Sequence, residues 1–367
     1  MFYPQPEPHA ATRSASDPHV AIGGLGGSGT RVFAATLSSV GIRLGTRLNG
    51  PLDNLWFTVL FKRADWVRQR PSDAEVVQAA DLLRRAMTTG LRGTLSEEEH
   101  ALLIRLRDTL PPIGPWQCGV RAPDAESLID SVPPAVGGDL PWGWKEPNTH
   151  VFLPHLARCF PGLRYIHVVR NGLDMAFSNN TWQARHWSPY YGVALEPATP
   201  LPVHQLRYWT AANRAAMEFG AAHMPGRFLA ISYEAYCADP GRHWPRLRRF
   251  LGLPDDTHPP ANTLQPTTIG RSKEHDLSQF PSETLSLARD LQAEVDALTP
   301  RVSFASKEAS RGAWQVTGPR VTRSARLRPL PRCARVLHRS HSWPKAGLCR
   351  WAADRRAYAP DADASWQ

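Results

Sequence analysis

The chain has 367 residues, 42% of them apolar and 21% charged, which excludes wholesale disorder and is long enough to bury a sizeable core. Its net charge is +10, from 43 Lys and Arg against 33 Asp and Glu. Segment 318–356 alone holds eleven cations against the single acid Asp354, so the remaining residues sum to about zero and no nucleic-acid partner is expected.

Residues 1–17 read as a disordered leader. His19-Val20-Ala21-Ile22-Gly23 predicts a short buried strand, and Arg31–Val40 a helix behind it. Between them lies Gly23-Gly24-Leu25-Gly26-Gly27-Ser28-Gly29-Thr30-Arg31. Glycines after a strand let backbone N–H groups turn toward an anion, and the following helix start adds partial positive charge. Three readings share this stretch. Gly24-x-Gly26-x-x-Gly29, with Asp53 24 residues further on, fits a dinucleotide fingerprint. Gly24-x-x-x-x-Gly29 opens a Walker A loop but lacks its Lys, since Thr30-Arg31 follow, which disfavours a kinase or ATPase. A Ser-Gly-Thr turn gripping a 5′-phosphosulfate is the third.

Ser72 or Asp73 can cap a helix through Met87, and Ser96-Glu97-Glu98-Glu99 is a capping box ahead of Ala101–Leu110, which Pro111-Pro112 ends. Gly143-Trp144-Lys145 reads as a strand end, His150–Cys159 as a helix, and Leu163–Val169 as a buried parallel strand. A helix begins near Leu173 and is expected to carry Ser178. Residues 182–202 read as a loop. Helix Pro202–Ala222, strand Arg227–Ser232, helices at 233–238 and 242–252, a loop over 254–281 and a helix over 283–298 complete the series. Strands alternating with helices predict an α/β, three-layer sandwich around a central parallel sheet, with helix-rich insertions. The expected domain spans 18–317, followed by an Arg-rich extension over 318–367, broken by Pro329, Pro331 and Pro344 and read as a solvated tail.

Arg170 falls at the C-terminal end of an apolar strand, where open α/β sheets place ligands, and Ser178 follows eight residues later. A guanidinium beside a hydroxyl suits a phosphate monoester. A helix-start pair of Arg170 with Asp174 is the structural alternative. The stretch Trp144-Lys145-Glu146-Pro147-Asn148, Leu153-Pro154, Phe160-Pro161-Gly162 and Arg170-Asn171-Gly172 resembles the sulfotransferases that use 3′-phosphoadenosine-5′-phosphosulfate (PAPS), as do Tyr233-Glu234 with Asp239-Pro240 and Phe250-Leu251-Gly252-Leu253-Pro254. The likeness spans about 19–300. It implies the P-loop-NTPase-like fold of that family and a sulfuryl transfer that releases adenosine 3′,5′-bisphosphate, with no metal.

The resemblance implies these roles. Gly26, Gly27, Ser28, Gly29 and Thr30 hold the 5′-phosphosulfate. Lys145 stabilises the bridging oxygen, and Arg170 with Ser178 binds the 3′-phosphate; Tyr233 and Arg271 are further cofactor candidates. The family's cation directly before Ser-Gly-Thr is replaced by Gly27, and Arg31 is the candidate substitute. Where cytosolic relatives carry a basic His two residues after the lysine, this chain has Pro147, so Asp53 is the candidate base, with Glu146, His150 and His186 as alternatives. Asp53 as a turn or cap carboxylate is the bland reading of that residue. Trp182, His186 and Trp187 are candidates to line the side of a small-molecule or carbohydrate acceptor; packing onto the core is the alternative.

Two rival functions remain at this point: a Rossmann-type NAD(P)-dependent oxidoreductase and an inactive nucleotide-binding protein with a basic interaction tail. Five Cys, widely spaced and without a C-x-x-C pair, predict neither a disulfide framework nor a structural zinc site and fit a cytoplasmic location. Neither a signal peptide nor a membrane span is expected.

Overall fold

Strand β1 (Val20–Gly24) is wholly buried and pairs in parallel with β2 (Gly143–Lys145) on one side and β3 (Arg164–Val169) on the other. β4 (Phe228–Ser232) extends the sheet beyond β3, giving the all-parallel order β2-β1-β3-β4. The computed structural model describes residues 18–63, 66, 70–109, 128, 141–258 and 268–298. The predicted leader, the end of the 101–110 helix with Pro111-Pro112, and the Arg-rich extension lie outside the described residues.

Because side chains alternate along a strand, each face of the sheet builds its own core. Val20, Ile22, Ile166, Val168, Leu229 and Ile231 point to one face, under α1 (Thr30–Ser39) and the aromatic and aliphatic residues Tyr236, Trp244 and Leu247. Ala21, Trp144, Tyr165 and Val169 point to the other, where α2 (Leu55–Phe61), α3 (Asp73–Thr88) and α4 (Glu97–Thr109) cover them. Helices on both faces of a buried parallel sheet make the three-layer α/β arrangement that the sequence predicts.

The helices start where capping chemistry allows. Ser72 and Glu75 form a reciprocal capping box at the head of α3. Ser96 and Glu99 do the same for α4, so that helix begins at Glu97, four residues earlier than the apolar pattern suggests. After β2, the chain takes a 3-10 turn over Pro147–Phe152 before α5 (Leu153–Cys159), because Glu146 caps that turn by accepting from the Asn148 N–H.

Two expectations are corrected. The helix after β3, α6 (Gly172–Ala176), is only five residues long, so Ser178 lies in the loop beyond it and not on the helix. The Gln205 side chain of α8 (Leu201–His223) accounts for the early stop: its amide donates to Ala176 O at 2.7 Å and Ser178 O at 3.2 Å, taking up carbonyls the helix leaves open. Residues 182–191, expected as loop, form α7 (Trp182–Trp187) and a 3-10 turn over Ser188–Tyr191. Trp182 and His186, four residues apart, stack with ring centroids at 4.3 Å, a helical pair. With Trp182, Gln183, Ala184 and Trp187 all buried, this helix shows no amphipathic pattern to read.

The remaining elements are α9 (Tyr233–Ala238), α10 (Pro240–Leu251), a 3-10 turn over Arg271–Glu274 and α11 (Ser282–Ala297). The described residues belong to one unit, Met1–Ser303. No described helix is long and apolar enough to cross a membrane.

Candidate active site

All four parallel strands deliver their C-terminal ends to one edge of the sheet, and each ends on a candidate residue. β1 runs into the glycine turn, β2 ends at Lys145, β3 hands over to Arg170 and β4 to Tyr233. This edge is where open α/β sheets bind ligands.

The glycine turn uses conformations that other residues avoid. Gly27 and Gly29 have φ of 95° and 90°, in the left-handed region. A Cβ on Gly29 would overlap the ring of Tyr233, so Tyr233 packs directly on the start of α1. Ser28 is 2% exposed, and its Oγ has no hydrogen-bond partner. A buried hydroxyl left unpaired beside a helix N-terminus is suited to an anion's oxygen.

Arg170 crosses this turn from below. Its Nη1 donates to Gly27 O at 3.1 Å and its Nη2 to Thr268 Oγ1 at 2.8 Å and to Thr268 O. The guanidinium lies 5.4 Å from the Tyr233 ring centroid, and Nε, which makes no hydrogen bond, is 3.9 Å from Glu234 Oε1. Burial raises the Glu234 carboxyl. Ser178 Oγ would be 3.8 Å from a Cβ on Gly27, so Arg170, Ser178 and the turn converge on one spot. Arg271 joins them by donating to Phe177 O at 3.3 Å.

Asp174 does not pair with Arg170 in the way the four-residue spacing suggests. Its carboxylate accepts from Gly270 N at 2.6 Å, Ser272 N at 2.9 Å and Ser272 Oγ at 2.7 Å, tying the late loop to α6. Burial alone would raise its pKa, but these hydrogen bonds and the nearby Arg170 charge outweigh it and hold the carboxyl below its ordinary value.

On the β2 side, Lys145 is 2% exposed; its Nζ donates to Pro51 O at 3.0 Å and to Asp53 Oδ1. Asn49 Nδ2 donates to Asp53 Oδ2 at 3.0 Å. The turn that presents Asp53 contains Leu52 at φ 67°, the one positive-φ residue other than glycine among the described residues, a costly conformation. Asn54, not Asp53, caps α2, by accepting from Phe57 N, which leaves the Asp53 carboxylate to Lys145.

Asp53 lies on a cavity of about 440 Å³ that opens against the glycine turn at Gly26 and is also lined by Lys62, Glu146, Asn148, Trp182 and Gln183. Burial raises the pKa of Glu146, which is 1% exposed. A continuous hydrogen-bond chain crosses the cavity floor. Asn148 donates from N and Nδ2 to the two Glu146 oxygens at 2.7 Å each, and its Oδ1 accepts from Gln183 Nε2 at 2.8 Å. Gln183 Oε1 then accepts from Gly26 N at 2.8 Å.

Three expected site residues stand elsewhere. Arg31 is exposed on α1 and is not among the residues lining the cavity. Trp187 is wholly buried and donates its indole N–H to Asn148 Oδ1 at 2.8 Å, so it supports the cavity from behind. His186 stacks on Trp182 and stays off the cavity lining; of the three aromatic candidates only Trp182 reaches it. Among the alternative bases, His150 is also off the lining; burial lowers its pKa to about 4, with Nδ1 at 2.8 Å from Pro147 O. Sequence reasoning missed Lys62, Gln183 and the clamping role of Asp174. The spacing of Asp174 from Arg170 points to a different partner from the Gly270 and Ser272 it holds.

The sequence model of the sulfotransferase family matches residues 18–257, well over half of the chain, and the chain belongs to that family. The dinucleotide-dependent oxidoreductase reading of the glycine turn is thereby set aside. No curated protein sequence matches the chain. Solved structures similar to it include the sulfotransferase domain of the Synechococcus PCC 7002 olefin synthase, at 16% identity over 74% of this chain and 93% of that domain, with a TM-score of 0.39. The sulfotransferase domain from the curacin biosynthetic pathway is similar at 14% identity over 77% and 99%, with a TM-score of 0.40. A sulfotransferase from Alicyclobacillus acidocaldarius is similar at 15% identity over 77% and 95%, with a TM-score of 0.38.

Proposed function

We propose that this sulfotransferase takes its sulfuryl group from PAPS and moves it to a hydroxyl or amine of a small-molecule or carbohydrate acceptor. The released product is adenosine 3′,5′-bisphosphate. The observation that carries the reading is the convergence of the unpaired Ser28 hydroxyl, the left-handed glycine turn, Arg170 and Ser178 at the ends of β1 and β3. The turn with Ser28, and Arg170 with Ser178 beside it, offer adjoining groups for more than one phosphate oxygen, which suits a ligand with two phosphate groups.

The donor, when bound, supplies a sulfuryl group whose bond to the bridging oxygen breaks with the electron pair left on the phosphate. Backbone N–H groups of residues 27–30 and the Ser28 hydroxyl hold the 5′ end; Arg170, Ser178 and Arg271 hold the 3′-phosphate, with Tyr233 shaping the turn. Lys145 shifts its ammonium from Asp53 toward the bridging oxygen as charge develops there. Asp53 then takes the acceptor proton, which completes the exchange of bonds at sulfur. Trp182 offers a flat face to the acceptor. We assign the catalytic domain to 18–317 and the cytoplasm as its location, with 318–367 as an appendage.

Thermal shifts of the full chain with PAPS, adenosine 3′,5′-bisphosphate, NADH and ATP test this. A ligand at a hundredfold excess over its Kd stabilises by about 2.7 kcal/mol, so a true ligand is easily seen. PAPS and the bisphosphate are expected to stabilise and NADH not; stabilisation by NADH alone refutes the reading. Arg170→Ala is expected to abolish the bisphosphate shift, and an undiminished shift removes Arg170 from the site.

A further inference from the structure

We propose that Gln183 is a positioning residue: it fixes the peptide of the glycine turn that places the Ser28 hydroxyl for the 5′ end of the nucleotide. The inference rests on the PAPS reading above and concerns a residue that acts on the turn, not on the reacting atoms. Gln183 is 6% exposed on α7, and its Oε1 accepts from Gly26 N at 2.8 Å. That N–H belongs to the peptide whose carbonyl, Leu25 O, accepts from Ser28 N at 2.9 Å. A peptide unit is planar, so holding one end aims the other. Gln183 therefore fixes where the turn closes, and with it the place of the buried, unpaired Ser28 Oγ. Arg170 grips the same turn from its other flank, at Gly27 O.

The hydrogen bonds behind Gln183 allow one orientation of its amide. An indole N–H can only donate, and Trp187 Nε1 donates to Asn148 Oδ1 at 2.8 Å. Asn148 Nδ2 is turned the opposite way and donates to Glu146 Oε1 at 2.7 Å. Asn148 thus presents an oxygen to Gln183, which meets it with Nε2 at 2.8 Å and so turns Oε1 to the Gly26 N–H. α7 is itself anchored on the side of α8, because His204 Nε2 donates to Ala184 O at 2.8 Å. Both ends of the Gln183 amide are engaged, and its support comes from buried groups behind it.

The test uses the full-length wild type, Gln183→Met and Gln183→Glu, with two readouts. Amide hydrogen exchange of the ligand-free protein follows the Gly26 N–H, and calorimetry gives Kd for adenosine 3′,5′-bisphosphate. Gln183→Met is expected to speed exchange at Gly26 by about tenfold or more while the β1 and β3 amides keep their protection, which also shows that the variant is folded. Bisphosphate binding is expected to weaken by about 3- to 10-fold, the size of one lost hydrogen bond. Gln183→Glu supplies the rescue. Protonated, its carboxyl offers the same donor and acceptor as the amide; ionised, it sets an oxygen against Asn148 Oδ1. Burial in a cavity lined by Asp53 and Glu146, with Lys62 the opposing charge, favours the protonated form as the pH falls. Its affinity is expected to match the wild type's at about pH 5.5 and to drop toward that of Gln183→Met at about pH 8, each compared with the wild type at the same pH. Unchanged Gly26 exchange or unchanged bisphosphate binding in Gln183→Met overturns the proposal. So does a Gln183→Glu affinity equally weak at both pH values, which would make the side chain a packing element only. Should Gln183→Met lose protection throughout the sheet, the pH profile of Gln183→Glu decides alone. Failure of the PAPS reading looks different: the wild type then binds no bisphosphate, while exchange at Gly26 still responds to the substitution.

Discussion

At the sheet edge single residues set the local geometry, and Gly29 packs directly under the ring of Tyr233. Gly29→Ala adds a methyl group where the Tyr233 ring lies, at a φ of 90° that strains any side chain. The expected cost is about 1–3 kcal/mol in denaturant unfolding, partly recovered in Gly29→Ala/Tyr233→Ala. No change in stability would show that Tyr233 does not hold the turn. On the proposed mechanism, Lys145→Met is expected to lower turnover by about 10²- to 10³-fold while leaving the bisphosphate shift in place, because the interaction it would remove strengthens as charge develops on the bridging oxygen; stopped turnover together with lost binding would make Lys145 structural. Arg170 stands out in the sequence because it ends an apolar run, while Ser28 and Lys145 stand out by the family resemblance. Lys62 and Gln183 do not. Gln183 meets Gly26 across 157 positions of chain, and a contact made by tertiary folding alone leaves no spacing to detect.

At the scale of elements, one carboxylate makes three of the bonds that hold the late loop. Asp174 on α6 collects two backbone N–H groups and a hydroxyl from Gly270 and Ser272. Asp174→Ala is expected to speed amide hydrogen exchange at Gly270 and Ser272 by at least tenfold, with little change in the β-sheet amides. Equal protection in the variant would mean that the Phe177–His275 stack, at 3.9 Å between centroids, is enough to hold the loop. The capping boxes give a second test. Ser72→Ala is expected to cost about 1 kcal/mol in unfolding free energy by leaving the first turn of α3 uncapped. The Ser96–Glu99 box is legible from four residues, since capping is local chemistry, whereas at Ser72 or Asp73 the sequence shows a cap and not the box. α7 is not legible, because six residues, with the polar Gln183 buried among the apolar ones, are too few to show a helical period.

For the whole molecule, the buried histidines make stability depend on pH. Burial lowers His150 to about 4 and His167 to about 3; His167 is enclosed by Tyr165 OH at 3.2 Å and Asn213 Oδ1 at 2.9 Å. In the unfolded chain both protonate near pH 6.5. Between those values the unfolded state holds more protons, so stability is full above about pH 6.5 and falls as the pH drops toward 4. Each group contributes a slope of up to about 1.4 kcal/mol per pH unit, and His167→Gln is expected to remove about one proton from the slope. An unchanged slope would show that His167 is protonated in the folded protein. The α/β class, strand sequence and two-faced core were legible because the strands are continuous apolar runs. Which strand neighbours which was not legible, as that depends on the crossovers.

The floor of the cavity has a practical consequence for anyone wishing to alter what the enzyme modifies. Asn148 and Gln183 line the cavity but also connect Glu146 to Gly26, so randomising them would disturb the glycine turn along with the pocket. Asn49, Gly50, Asn180 and Trp182 line the same space without a place in that chain. Asn49, however, is bonded to Asp53 through both its side-chain oxygen and nitrogen, so a library confined to Gly50, Asn180 and Trp182 would vary the shape of the pocket while leaving the hydrogen bonds of Asp53 and Gly26 in place.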